Sequence, residues 1–423
     1  MIGNNLLIKF IYKTGVVMKK NYENEIENYI NFIVNNEEKN LFEKLGNIAI
    51  LYYYSLYKNK NNKSSKNYYF LKSRKKLEEV FKQENVFNFQ LGMPYGLVYL
   101  GYVTRSLNVD NSMDDKINKI DYLINYYSKK IIEEYDYKKY GMETSFYDII
   151  YGVAAVAHYY HWFGKNNIIR IKIIEWLVQL YIDKINFSNC FFIKNENIRN
   201  YTFKKRFDDG YIDMSFSHGI AGVLLVLSEA YVDGIEVSNL EEIIKDIYGE
   251  YVLNMKIIDN IISFPCLKYF SDKKVKYDYD EKYSWCYGSL GISKVMYNVS
   301  KIFNDGLSNL LIHNTSFEVI EKIELLNYKT PIFCHGYAGA YHILGLYDIP
   351  NFENKKQILI DKIINFYGDN LNFEIFKINN KNLIIKNNII DGFGSIIIPL
   401  LIGIIGEDNG FYSKMIGMIS EVR

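Results

Sequence analysis

Cysteine, proline and histidine are scarce in this chain, and so is any excess of charge. Four cysteines in 423 residues, at positions 190, 266, 286 and 334, are too few and too scattered for the disulfide framework of a small secreted domain. That usage points to a reduced, cytoplasmic setting. A formal net charge of +1 provides no bulk field for binding nucleic acid. Five prolines, beside abundant lysine, asparagine, isoleucine and tyrosine, fit an AT-rich coding bias and carry no function. No apolar run reaches the length of a membrane span; the nearest, 389–405, is interrupted by Asp391, Pro399 and several glycines. The first twenty residues do not read as a signal peptide. Lys9 and Lys13 break their apolar stretch, no small-residue cleavage site follows, and Met18 offers a second start.

Apolar side chains are plentiful, at 49% of the chain, enough for a sizeable core. They recur in a pattern. Seven segments share one form, a glycine followed by an apolar run: Gly46, Gly96, Gly152, Gly219, Gly288, Gly336 and Gly392. Each interval can hold two helices and their loops. The runs 47–56, 97–107, 153–163 and 220–231 read as nearly buried helices. Stretches such as 117–135 and 170–185 read as amphipathic ones. A buried inner and a more polar outer helix per unit predict an all-α fold, an α/α toroid of seven helical hairpins closing into a ring. It would occupy 40–423 after an N-terminal extension, 1–39. Two segments break the pattern, 187–213 and 257–283, and read as irregular or β-containing inserts over the mouth of the ring.

Only three consecutive units carry a full Gly-x-x-Gly. The same three bear the chemistry: Ser217-His218-Gly219, Cys286-Tyr287-Gly288 and Cys334-His335-Gly336. Glycine at both positions lets backbones approach closely. Equivalent positions in neighbouring units converge at the mouth. Two thiols and one imidazole (Cys286, Cys334 and His335) form the donor set of a zinc site with an open fourth position, the catalytic pattern. Taken alone, either cysteine would read as a buried small hydrophobe; the adjacent histidine and matching positions favour ligands. Cys190 and Cys266, outside the repeated position, keep the hydrophobe reading. His158, His161, His313 and His342 read as structural or surface residues.

With these three motifs in this order, and the glycine pattern over roughly 40–405, the chain resembles the lanthionine synthetase C-like proteins, the stand-alone lantibiotic cyclases. The resemblance implies an α/α toroid binding one zinc ion. It implies addition of a peptide cysteine thiol to dehydroalanine or dehydrobutyrine, closing a lanthionine or methyllanthionine ring. It further implies a precursor peptide with its leader, a lantibiotic dehydratase and an ABC exporter as partners, in an assembly at the inner face of the membrane. Within that reaction His218 would protonate the enolate left by addition. Asp148, four residues before Gly152, resembles the family's aspartate and would orient His218, or else cap a helix. Tyr287 would hydrogen-bond the site or pack as an aromatic beside Trp285. Lys282 stands where the family often has arginine; it keeps the charge and loses the planar fork. Two other readings stay open: a member that binds thiols or peptides without closing rings, and a zinc-free toroid such as a glycosidase, which would need two carboxylates across the mouth.

Overall fold

The computed structural model describes residues 23–24, 26–35, 38, 41–60, 68–83, 90–185, 188–258, 261–271, 274–280, 283–306, 318–322, 328–347, 352–366, 388–406, 408 and 410–418. Seven helices form an inner ring: α1 (Leu41–Asn59), α3 (Leu97–Leu107), α5 (Val153–Phe163), α7 (Ile220–Val232), α9 (Ser289–Ile302), α10 (Tyr337–Leu344) and α12 (Gly394–Ile405). Each packs on the next, and α12 packs back on α1, so the ring is closed. Outside it lie α2 (Tyr68–Phe81), α4 (Asp114–Lys129), α6 (Ile168–Ile182), α8 (Leu240–Leu253) and α11 (Phe352–Asn365). In the fifth unit the described part of the outer layer is the helical stretch 318–321.

The two layers differ as their sequences demand. In α7 every residue from Ile220 to Ala230 is buried, because ring neighbours flank it and an outer helix backs it. In α4 the buried residues are Ile117, Ile120, Ile124 and Ser128, one stripe at helical spacing, and Asp114 and Asp115 sit in the first turn, where the helix dipole favours them. The expected outer helix at 170–185 departs from this. α6 also touches α4, α7 and α8, and Arg170 is buried against Asp233 at 2.8 Å. Two of the seven glycines stand elsewhere than at a helix head: Gly46 lies inside α1, and α12 starts at Gly394, after Gly392. Part of the stretch set apart as an N-terminal extension belongs to the ring's core, since Ile26, Tyr29, Ile30 and Ile33 are buried in it and Tyr29 packs on Phe393.

The Gly-x-x-Gly pairs have a steric cause. A methyl group on Gly222, Gly291 or Gly339 would sit 2.6, 2.1 or 2.0 Å from the carbonyl oxygen six residues earlier, of Phe216, Trp285 or Phe333. The segment entering each helix therefore lies flat on its first turn. Entering segments also hydrogen-bond to one another around the ring. The N–H of Phe216 donates to Cys286 O at 3.0 Å, that of Cys286 to Cys334 O at 3.2 Å, and that of Cys334 to Ile390 O at 3.0 Å.

The two inserts combine into one antiparallel sheet of four strands, β1 (Phe192–Lys194), β2 (Gly210–Asp213), β3 (Pro265–Ser271) and β4 (Lys274–Tyr279), paired in that order. A small cluster that includes Ile193, Phe207, Tyr211 and Leu267 packs the sheet. β2 leads straight into the Ser217-His218 segment, so the sheet is tied to the mouth.

Two glycine substitutions are expected to act in opposite directions. Gly291→Ala drives a methyl into the Trp285 carbonyl, 2.1 Å away, and should cost about 2–4 kcal/mol in urea unfolding. Gly249→Ala, inside α8 with nothing within 4 Å, should gain about 0.5–1 kcal/mol.

Candidate active site

Three entering segments, each a turn, build the site. Phe216, Trp285 and Phe333, each three before its glycine, turn inward and meet edge to face in series, with ring centroids 5.5 and 5.3 Å apart. Trp285 is fixed further by its indole N–H, which donates to Ile416 O at 3.2 Å. The next residues, Cys286 and Cys334, and then His218, Tyr287 and His335, reach the mouth. The sequence placed these residues together, and the structure brings them together. A short polar side chain four before several of the glycines holds its turn: Ser284 Oγ accepts from Gly288 N at 2.9 Å, and Asn388 Oδ1 accepts from Ile390 N at 2.7 Å.

The ligand atoms of Cys286, Cys334 and His335 lie within 4.8 Å of one another, and among the described residues no other such group of three forms. Zinc binds sulfur at about 2.3 Å and imidazole at about 2.0 Å, so one ion is within reach of all three. Cys286 is buried, Cys334 half-buried and His335 exposed, which leaves the fourth side open. The thiols are already coupled. The hydrogen bond from Cys334 holds Cys286 well below the usual thiol range, against its burial, with His335 adding to the effect. The same bond and burial push Cys334 up. A divalent cation held between them would displace thiol protons.

Beside the thiols stands a second set of groups. Asp148, fully buried, accepts from the N–H groups of Ile150, Tyr151 and Gly152 at 3.1, 2.5 and 2.9 Å through Oδ1. Its Oδ2 meets His218 Nδ1 at 2.7 Å. One oxygen thus orients His218, while the other holds the turn before α5; the helix itself is capped by Gly152, so the capping reading of Asp148 is not realised. Tyr151 stacks on the imidazole, 5.7 Å between centroids and 16° between planes. Burial lowers the His218 pKa, but the hydrogen bond and charge of Asp148, then the charges of Asp213 and Cys286, outweigh it and raise it to about 8. Tyr287 donates its hydroxyl to Asp213 Oδ2 at 3.2 Å, and burial keeps the phenol protonated.

Asp213 was not singled out from the sequence. It lies at the end of β2, is 1% exposed, and burial pushes its pKa up. Its signal was weak: an aspartate six before Gly219, inside an insert and without a counterpart in other units. Lys282 and His313 lie outside the described residues. His158, His161 and His342 are buried ties to Glu229, Asp233 and Ser413, at 2.9, 2.6 and 2.9 Å. Cys266 is a buried thiol pushed up to about 12 by that burial, and Cys190 is buried likewise.

Asp213→Asn is expected to lower the His218 pKa from about 8, because it removes a nearby negative charge. Asp148→Asn should lower it further, since both charge and hydrogen bond weaken. NMR titration of the His218 ring checks both; a value unmoved in Asp213→Asn would separate that carboxylate from the imidazole.

Residues 45–393 match the lanthionine synthetase C-like protein family. Over 302 residues the chain is 23% identical to the nisin biosynthesis protein NisC of Lactococcus lactis subsp. lactis, covering 66% of this chain and 70% of that protein. Its fold is similar to the solved structure of nisin cyclase, with a TM-score of 0.70 and 18% identity over 94% of this chain and 97% of the other. The family match runs from within α1 to the residue before α12 and holds all three motif-bearing units, and the chain belongs to the lanthionine synthetase C-like family.

Proposed function

We propose that this protein is a zinc-dependent peptide cyclase that adds cysteine thiols to dehydroalanine or dehydrobutyrine in a precursor peptide, forming lanthionine or methyllanthionine rings. The observation that carries the reading is the facing pair of sets: thiols with an imidazole on one side of Tyr287, and a carboxylate-held imidazole on the other. Zinc held by Cys286, Cys334 and His335 would lower the pKa of a substrate thiol, while the two protein thiolates offset the ion's charge and leave the substrate sulfur nucleophilic.

The chain's own residues supply the rest. Carbon–sulfur bond formation at the β-carbon of the dehydro residue moves the π pair toward the α-carbon and its carbonyl oxygen, giving an enolate. The α-carbon then takes a proton. His218 is placed to give it: Asp148 occupies Nδ1, which leaves Nε2 as the donor, and a pKa of about 8 keeps the ring charged at neutral pH. The proton lost by the thiol balances the one His218 recovers from solvent, so the net change is addition of S–H across C=C. Tyr287 stays protonated, but its one O–H is given to Asp213, so it borders the enolate without hydrogen-bonding its oxygen.

A zinc-free glycosidase fits less well. Two carboxylates are present near the mouth, Asp148 and Asp213, but they are 0% and 1% exposed and committed to His218 and Tyr287. A cyclase of this kind needs a dehydratase to supply its substrate, and a leader-bearing precursor and an ABC exporter complete the reading. Among the described residues no helix is long and apolar enough to cross a membrane.

Cys334→Ala and His335→Ala are expected to lose the metal, about one zinc per chain by plasma mass spectrometry, and to lose ring closure with helical circular dichroism intact. A metal-free variant that still closes rings would sink the mechanism. His218→Ala is expected to keep zinc and lose rate by about 10²–10⁴-fold. In the parent protein the proton donor is present below its raised pKa and lost as pH rises through about 8, so ring closure should fall across that range. That limb should vanish in His218→Ala.

A further inference from the structure

The two reacting halves of the substrate, we infer, occupy separate clefts divided by Tyr287, the thiol-bearing segment on the metal side and the dehydro segment on the His218 side. This rests on the cyclase reading and gives it a geometry.

Two open clefts reach the mouth. One, of about 750 Å³, is floored by His218, Asp213 and Tyr151. The other, of about 560 Å³, is floored by Cys286, Ser284 and His335. Among the described lining residues Tyr287 alone belongs to both. Each volume lies in the range of about 300–1,000 Å³ that holds a drug-sized ligand, enough for a short peptide segment.

The chemistry assigns the occupants. Sulfur must sit at the thiolate and imidazole donors, of which Cys286 and His335 line the smaller cleft and none lines the larger. The α-carbon must sit within reach of His218, which lines only the larger. In the product these atoms are joined through a single β-carbon, so the two segments meet at the edge of Tyr287 and diverge from it. Tyr287 can serve as a fixed wall, because Asp213 holds its hydroxyl and the His218 ring lies 6.0 Å from its own.

The clefts also differ in character. The larger has apolar walls in Leu91, Phe146, Tyr151 and Ile193, with Glu143 and Arg199 paired at its rim at 2.5 Å. It suits a dehydro residue flanked by apolar neighbours. The smaller is lined by Arg206, Asp278 and Asp280 and suits a more polar cysteine segment.

The test separates the two halves. Zinc-loaded full-length protein is given a short cysteine peptide and a short dehydroalanine peptide, and KM is measured for each with the other saturating. Ser145→Trp, which narrows the larger cleft, is expected to raise KM for the dehydro peptide about tenfold, a loss of about 1.4 kcal/mol, with the thiol peptide unaffected. Arg206→Trp, in the smaller cleft, is expected to do the reverse. Ser145→Ala and Arg206→Ala, milder changes, check that the effects follow bulk rather than folding. A variant that raises both KM values equally, or the wrong one, overturns the assignment. Fluorescence anisotropy of each labelled peptide gives a readout free of turnover: separate clefts require both peptides to bind at once, and mutual displacement would refute them. If the parent protein binds zinc and both peptides yet joins nothing, the cyclase reading fails while the clefts stand.

Discussion

The site depends on backbone pairing between the segments that enter consecutive inner helices. Helix N-termini leave N–H groups without intrahelical partners. Here some of those donors turn back to their own entering segment, Gly291 N to Ser284 O and Ala338 N to Pro331 O, while the segments bond one another across units, from Phe216 to Cys286, from Cys286 to Cys334 and from Cys334 to Ile390. These segments are turns, and each bond sets one backbone against the next, with the ligand atoms of Cys286, Cys334 and His335 within 4.8 Å of one another. The ligand pair is thus a consequence of the ring's backbone, with glycines permitting the approach and the buried series Phe216, Trp285 and Phe333 fixing which residues turn outward.

Charge is arranged around this frame with the same economy. A site that binds a thiolate favours cations, yet a proton donor beside it must be neither quenched by burial nor free to swing. Asp148 answers both needs. Three backbone N–H groups hold one of its oxygens, and the other holds His218. Asp213 has fewer partners and is pushed up by burial, so it acts more weakly on His218 while fixing the phenol of Tyr287. Two imidazoles thereby have different neighbours: His335 lies exposed beside two thiols, and His218 is held by Asp148 with Asp213 near it.

The sequence carried the ring and its chemistry because both repeat. Glycines at the heads, apolar runs after them and Cys or His before them are local signals, and the structure places them as expected. What did not repeat was harder to read. Gly46 falls inside a helix because apolar periodicity continues on both sides of it, and a glycine alone does not set a helix start. The stretch 170–185 looked amphipathic because Arg170 reads as solvent-facing until Asp233, distant in sequence, is known to meet it. Asp213 was missed for a related reason, since its partner Tyr287 comes from another unit and its strand from an insert. The −4 series Asp148, Ser215, Ser284 and Asn388 was legible in principle, once the units are aligned on their glycines.

Ring and insert differ in how freely they can change. A methyl at several of the ring's head glycines would collide with backbone at about 2.0–2.6 Å, so the positions that hold the thiols and His218 are steeply constrained. In the sheet Gly210, at φ +112° and with Ile193 O 2.1 Å from the place of a methyl, carries a like constraint, but the insert's cleft-lining side chains do not: Ile193 and Arg199 face one cleft, and Phe203 and Arg206, on the short helix Tyr201–Arg206, face the other. The positions of the two thiols and His218 are therefore fixed by packed helices, and the cleft walls beside them are left largely to side chains of the insert. Asp213 belongs to both systems, since its backbone is sheet and its side chain holds Tyr287. Changes in the sheet can therefore reach the chemistry through that one carboxylate.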